Sequence, residues 1–386
     1  MTCAARPETS SPRIAIAGAG IIGLSCALEL ARRGAAITLY DPNTPGRGAS
    51  WAAAGMIAPA FEAASEPGVH PQLFDLCLES ARLWPEFAAH LETESGETVG
   101  YAAGPSLAVA ASEAMAAHLD GILDTLTKRG LPGQRLDMDA ARRIEPALSP
   151  DLRGVLQLTT DGHVNNRAVV SALLALCERH PRIMLERTPA PLQSHDDALD
   201  VEGHDFILIT AGWQSGELKV TEHGKQFSLA NWDSSLDEID TYGGQMLSVE
   251  RRADHPATTL RAGPIYMVPR GDQLVIGATM EPGRTTGMPN TDDVANLLQD
   301  ASRIVPSLAD ARITSAWSGI RPGTPDFAPF LGRTRQPKMF VAAGHYRNGI
   351  LLTPITARIV ADLILGGDSS DLAAAFAPSR ALPAQV

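Results

Sequence analysis

Gly18-Ala19-Gly20-Ile21-Ile22-Gly23 lies between a short apolar run, Arg13–Ala17, and a stretch of helical apolar spacing over 21–33. A second buried strand follows at Ala36–Tyr40, so the chain opens with one βαβ unit. Arg32 and Arg33 sit in the last helical turn, and Gly34 follows as its stop. In such a unit the first glycine permits the tight turn, and the second lets backbone approach a pyrophosphate. The third allows the helix to pack closely on the strand. The helix N-terminus then presents free N–H groups and a positive dipole end to phosphates. Asp41 ends the second strand, 18 residues past Gly23, where a carboxylate can accept hydrogen bonds from a ribose 2′-OH. That acid disfavours a 2′-phosphate, hence NADP, and leaves NAD and FAD open.

Beyond this unit, 73–92, 111–129 and 169–178 read as amphipathic helices. The runs 206–210 and 339–343 are continuously apolar and end in glycine, as expected of buried parallel strands. Between them lie strand-like segments at 242–250, 265–270 and 273–279. The last two are joined by Gly271-Asp272, the signal for a type II′ hairpin. Strands without intervening helices indicate an antiparallel sheet. Residues 217–240 are polar, acidic and aperiodic, and read as a surface loop or insertion. The expected fold class is therefore α/β, a Rossmann-like dinucleotide domain plus an α+β domain with an antiparallel sheet. The dinucleotide domain is expected over 1–90, 150–216 and 326–386, and the second domain over 91–149 and 217–325.

Composition narrows the partners. The 386 residues carry 32 Lys plus Arg against 44 Asp plus Glu, a net charge of −12. That balance argues against nucleic acid and against an anionic membrane surface. Residues 1–13 are polar, without an apolar core of signal-peptide length. The stretch 14–31 has Glu29 as its sole charge, yet its three glycines fit a strand–turn–helix better than a membrane span. Cys3, Cys26, Cys77 and Cys177 lie far apart and form no CxxC. We expect neither a disulfide framework nor a metal site, and a cytoplasmic location.

Two features favour FAD over NAD. A second GxGxxG for a separate NAD site is missing, and Gly48-Ala49-Ser50-Trp51-Ala52-Ala53-Ala54-Gly55-Met56 follows the acid closely and is almost all small. Such a segment can be a tightly packed core helix, or backbone laid along a long cofactor with Ser50 available to a phosphate.

Together with GAGIIG (18–23), the segments ASWAAAGMIAP (49–59), YMVPR (266–270), IGATM (276–280), SGIRPGTPD (318–326) and GHYRNGILLTP (344–354) fall in one order along nearly the whole chain. In these motifs the sequence resembles the D-amino-acid oxidase family of FAD enzymes, and within it the bacterial glycine oxidases of thiazole biosynthesis. The resemblance implies a glutathione-reductase-type FAD domain and a substrate domain whose antiparallel sheet roofs the flavin. It places Gly18, Ala19, Gly20, Ile21, Ile22, Gly23, Asp41 and Pro42 at the adenosine and pyrophosphate. Ala49, Ser50, Ala54, Gly55 and Met56 would follow the pyrophosphate, ribityl chain and flavin edge, with Ala190 near the adenine. His345, Tyr346, Arg347, Asn348, Gly349, Ile350 and Leu351 would pass the flavin pyrimidine edge, where N–H donors and the following helix N-terminus stabilise reduced flavin. The family's covalently flavinylated branch needs a cysteine near the flavin, and none lies downstream of Cys177, so non-covalent FAD is expected.

Oxidising an amino acid to an imine moves a hydride from Cα to flavin N5, a task of orientation above all. A small amino acid offers its carboxylate as the strong handle, and a bidentate Arg suits that handle in geometry and charge. Arg321 is the candidate clamp, Arg347 a second cation, Tyr266 the closing hydroxyl, and Met280 and Met56 apolar walls. No residue is assigned as catalytic acid or base. His345 and His163 are read as structural, because hydride transfer from a free amine needs no protein base.

The expected activity is a glycine oxidase using O2 and releasing H2O2, feeding thiamine thiazole formation, from a homo-oligomer with a small amino-acid substrate. The alternatives are a D-amino-acid or sarcosine oxidase or dehydrogenase with another acceptor, an NAD-dependent dehydrogenase, and a non-catalytic flavin-binding subunit. Gly212-Trp213-Gln214-Ser215 replaces the family's more usual Gly-Ala-Trp-Ser, and before Tyr266 only Arg261 offers a second polar pocket group.

Overall fold

The computed structural model describes residues 11–62, 68–285, 288–368 and 371–381. Cys3 and the first ten residues of the polar N-terminus lie outside them. The elements that position the site begin with β1 (Arg13–Ala17), α1 (Ile21–Arg32) and β2 (Ala36–Tyr40). Next come α2 (Leu73–Ser95), α3 (Glu113–Lys128), α4 (Asn166–Arg179), β3 (Ile183–Glu186) and β4 (Phe206–Ile209). A run of strands follows: β5 (Asp240–Glu250), β6 (Leu260–Ala262), β7 (Ile265–Arg270) and β8 (Gln273–Gly277). The last are α5 (Thr291–Ile304), β9 (Ile313–Gly323), β10 (Phe330–Arg333), β11 (Met339–Ala343) and α6 (Thr353–Leu365).

One sheet has the order β10-β11-β4-β1-β2-β3 and is parallel except for β10. Its central strands alternate between two cores, as the period of two requires. Ile14, Ile16, Leu208 and Phe340 face α1, α2, α4 and α6, while Ala15, Ile207, Ile209 and Val341 face the opposite layer. That layer is a four-stranded sheet of Leu192–His195, Ala198–Asp200, Lys219–Glu222 and Lys225–Ser228.

Here the structure departs from the sequence reading of 217–240. The segment is a β-hairpin followed by two 3-10 turns, and Val220, Leu229, Ala230, Leu236 and Ile239 are buried on the parallel sheet. Its apolar residues are spaced by the turns rather than by a regular period, which hides them from a periodicity test.

A nine-stranded mixed sheet forms the other half of the molecule. The order β9-β5-β8-β7-β6 is antiparallel throughout, and β6 then joins Ser106–Ala110 in parallel. Gly154–Leu158 also pairs in this sheet, next to Ser106–Ala110. The Gly271-Asp272 turn closes the β7–β8 hairpin, with Gly271 at φ +59 and Arg270 paired to Gln273. Helix α5 covers one face of this sheet, burying Val294, Leu297, Ala301 and Ile304 against Leu247, Met267 and Ile276. The opposite face meets the Ala52–Ala54 segment through Met246, Val268, Val275 and Trp317. Among the described residues, no helix is long and apolar enough to cross a membrane.

Candidate active site

A continuous cavity of about 2010 Å³ runs from the C-terminal ends of β1, β2 and β4 to the free face of the mixed sheet. At its first end, Gly18 has φ +112, and a Cβ there would stand 2.6 Å from the Thr210 carbonyl oxygen. A Cβ on Gly23 would overlap the Gly18 carbonyl, so helix and loop approach as closely as backbone allows. Asp41 accepts the Ala19 N–H at Oδ2 and the Asn43 N–H at Oδ1, both at 2.9 Å. Ser50 Oγ accepts the Ile21 N–H at 2.9 Å. Both side chains therefore brace the glycine loop while also lining the cavity. Gly18, Gly20, Ile21, Ile22, Asp41, Pro42, Ala49, Ser50, Ala54, Gly55, Met56 and Ala190 all line it, whereas Ala19 and Gly23 stand behind the loop.

Midway, residues 345–350 wrap the cavity before α6 begins. The Tyr346 N–H donates to the Pro322 carbonyl at 2.6 Å, and the Asn348 N–H to the His345 carbonyl at 2.9 Å. Tyr346 has φ +48, which holds this tight coil. Leu351 points elsewhere: its side chain is in the core, and its carbonyl accepts from Ser80 Oγ at 2.6 Å and Trp84 Nε1 at 2.8 Å. His345 is buried, and its Nε2 lies 3.1 Å from Thr356 Oγ1. Burial pushes its pKa down to about 3, so it is neutral at physiological pH.

The other end is built by strand register. Arg261, Tyr266, Gly277, Met246 and Trp317 stand opposite one another across β6, β7, β8, β5 and β9, in one row on the cavity side. Two residues further along β5 and β9 comes the pair Gly244–Gly319, then Tyr242–Arg321. Missing side chains make the room. A Cβ on Gly277 would lie 2.5 Å from Tyr266 Oη, and one on Gly244 would lie 2.5 Å from Arg321 Nη2. Tyr266 and Arg321 thus lie across the backbone of intervening strands, with the guanidinium charge acting on the phenol. Burial raises the Tyr266 phenol pKa, against the opposing pull of Arg321, Arg261 and Arg270, so its hydroxyl stays protonated at neutral pH.

Arg321 Nη1 also donates to the Gly243 carbonyl at 3.3 Å and the Thr279 carbonyl at 3.4 Å. Met280 stands at the rim, 47% exposed, where its Sδ accepts from Tyr346 Oη at 3.4 Å. Arg347 is exposed at the same rim, its guanidinium 6.0 Å from the Tyr346 ring. Tyr346 packs with Tyr242 and Phe327 in an aromatic cluster beside the opening.

Sequence reasoning missed several residues. Gly244 lies in no motif, and Gly277 lies inside IGATM (276–280) with no role assigned to it; only the register shows what they make way for. Arg270 donates to the Ala53 and Ala54 carbonyls at 3.1 Å and to Asn166 Oδ1 at 2.7 Å, tying the mixed sheet to the small-residue segment. Burial, then repulsion from Arg167, pulls its pKa down to about 10. Trp317 Nε1 donates to the Ala52 carbonyl at 2.9 Å. His163 pairs through Nδ1 with Thr259 Oγ1 at 3.0 Å, and burial lowers its pKa.

The residues present fit an extended dinucleotide. The glycine cradle admits no side chain at Gly18 or Gly23, and the cavity is long. Asn348 Nδ2, on the cavity wall, is buried without a partner among the described residues, a donor that a cofactor edge would satisfy.

Known proteins agree with this geometry. Residues 13–363 match the DAO family, FAD dependent oxidoreductase. A glycine oxidase from Geobacillus kaustophilus is 33% identical over 357 residues, 91% of this chain and 92% of that protein. The crystal structure of a glycine oxidase from Geobacillus kaustophilus superposes with a TM-score of 0.83 at 31% identity, covering 96% of this chain and 99% of that one. The bifunctional protein ThiO/ThiG of Trichormus variabilis is 31% identical over 95% of this chain, which spans 55% of that longer protein. The chain belongs to the DAO family of FAD-dependent oxidoreductases.

Proposed function

We propose that this chain is a glycine oxidase that holds FAD non-covalently and converts glycine to its imine. One observation carries the reading: Arg321 and Tyr266 both line the dinucleotide cavity from the same sheet. When bound, FAD supplies the two-electron acceptor for the Cα hydride and passes the pair to O2, giving H2O2.

The chain's own residues bind and orient. Arg321 takes the substrate carboxylate in a charge-assisted pair, and the Tyr266 hydroxyl donates to the same group. The amine gives up its proton to solvent before hydride transfer, and no side chain is assigned to remove it. Asn348 donates to the cofactor edge. Arg347 and Met280 border the entrance.

Non-covalent attachment agrees with the cysteines: Cys26, Cys77 and Cys177 are buried thiols outside any disulfide among the described residues, and burial raises the pKa of Cys26 and Cys177. Such thiols suit a reducing cytoplasm, where we place the enzyme. The relatives' names support a role in feeding imine to thiazole formation. We read the molecule as two domains, one around the parallel sheet and one around the mixed sheet, assembled as a homo-oligomer.

Oxygen uptake and anaerobic flavin bleaching with glycine, sarcosine and D-alanine test the reading. Glycine should bleach the flavin and consume O2; bleaching by D-alanine with none by glycine would overturn it. A D-amino-acid or sarcosine oxidase is the second reading. It is favoured by the cavity's continuation past Tyr266 to Met115 and His118, space that glycine does not fill.

A further inference from the structure

Ser50, Ala52, Ala53, Ala54 and Gly55 line the cavity, and every carbonyl from Ser50 to Ala54 accepts from a side chain of another element. Asn166 Nδ2, at the start of α4, donates to the Ser50 carbonyl at 2.6 Å, and Arg167 Nε to the Trp51 carbonyl at 3.3 Å. Trp317 of β9 holds the Ala52 carbonyl, and Arg270 at the end of β7 holds those of Ala53 and Ala54. These four donors stand behind the segment, off the cavity wall. In a trans peptide the N–H lies opposite the carbonyl, so the Ala54 and Gly55 N–H groups face away from Arg270.

Asn166 and Trp317 hold their carbonyls without charge. Arg167 and Arg270 bring two positive charges into a half-buried site, and among the described residues no carboxylate pairs with either. Arg167 Nη2 and Arg270 Nε are buried and have no hydrogen-bond partner among the described residues. The Arg167 guanidinium lies between two indoles, 3.6 Å from the Trp51 ring centroid and 4.6 Å from that of Trp317. Arg47, on the cavity wall, repels Arg167, and Arg167 repels Arg270. Holding carbonyls does not require charge, and cations gathered without an acid are costly unless an anion completes the site.

We propose that Arg167 and Arg270 set the reduction potential of the flavin, acting through the segment 50–55. Two electrons and one proton turn the neutral flavin ring into its singly negative reduced form, and the two charges stabilise that form over the oxidised one. The inference uses the FAD dependence of the family and is independent of which amine is oxidised.

Reduction potential and sulfite affinity of the FAD-loaded enzyme test this without any amine. Sulfite adds to the flavin ring and leaves it negative, so its affinity reports the same stabilisation. Arg167→Gln and Arg270→Gln keep a hydrogen-bond donor and remove the charge. Each should weaken sulfite binding about 10-fold, the scale of one partly screened charge in a protein interior. Each should lower the two-electron potential by the same factor, about 30 mV. Arg167→Lys and Arg270→Lys keep the charge and lose the fork, and should stay within about threefold of wild type in both measurements. Arg167 makes a single hydrogen bond to the segment, so its variants serve if Arg270→Gln does not fold.

Equal shifts in the Gln and Lys variants would overturn the proposal, because geometry and not charge would be responsible. An unchanged potential would overturn it as well; weakened FAD binding alongside would assign the cations to the pyrophosphate. Wild-type enzyme that binds sulfite no more tightly than free FAD overturns it without any substitution. The expected shifts in a protein that glycine does not reduce would sink the glycine reading and leave this inference standing.

Discussion

The two ends of the cavity are encoded in different ways. At the glycine-loop end, the wall is backbone that approaches closely, and the residues that permit this are neighbours in sequence. Gly18, Gly20 and Gly23 lie within six positions, and their bracing groups Asp41 and Ser50 follow within 30. At the other end, the wall is built of residues that five strands carry onto one sheet face, and Gly244, Arg261, Tyr266, Gly277 and Arg321 span nearly 80 positions. A contiguous motif constrains a loop whatever else the chain does. A register-built site exists only once the whole sheet has paired.

The comparison breaks most sharply at Gly18. Its φ of +112 and the Thr210 carbonyl 2.6 Å from any added Cβ leave no space for alanine. Gly18→Ala should cost on the order of 1–3 kcal/mol in backbone strain alone. The expected outcome is protein purified without yellow colour and with a lowered Tm, read by flavin absorbance and calorimetry. Full FAD content in this variant would mean that the loop can re-form around a side chain.

Arg321→Ala should do the reverse, leaving FAD bound while the substrate's carboxylate loses its partner. A buried charge pair broken on one side costs about 3–5 kcal/mol, so kcat/KM should fall by roughly 150- to 5000-fold, chiefly through KM. Unchanged kinetics would reject the clamp.

Much of the architecture is legible in the sequence. The βαβ unit, the buried runs ending in glycine and the Gly271-Asp272 hairpin all follow from local rules, and each appears where its residues predict. Arg321 and Tyr266 were singled out through motif resemblance, with nothing local to say that they line one cavity. The roles of Gly244 and of Gly277 within IGATM are illegible for a physical reason. A glycine that makes room for a side chain from another strand has no signature of its own, because its meaning depends on long-range pairing. The 217–240 hairpin was missed because turn-spaced apolar residues satisfy neither the strand nor the helix period.

Gly244 offers a finer test of the register-built end. An alanine there would press on the Arg321 guanidinium, so Gly244→Ala should lower kcat/KM by about 10-fold, with FAD retained, if the displaced contact is worth about 1.4 kcal/mol. In an Arg321→Ala background the same substitution should cost almost nothing, since the group it displaces is gone. A double-mutant cycle measures this coupling directly. Additive losses would mean that Gly244 acts on the fold of β5 rather than on the clamp.

The smallest effect belongs to His345, between the two ends. Its folded pKa of about 3 lies below the ordinary histidine value near 6.5, because burial disfavours the charged ring. Between these two values the unfolded chain binds a proton that the folded chain does not. Stability from this group is therefore fully present above pH 6.5 and is lost as pH falls toward 3. His345→Gln keeps a polar partner for Thr356 and cannot charge, so it should flatten the acid limb of a Tm-against-pH curve over that window. The pH profile of kcat should stay within about twofold of wild type at every point, since general-base removal would cost 10²-fold or more. An inflection lost from that profile in the variant would make His345 a proton carrier, and would move proton transfer from solvent into the segment that wraps the cavity.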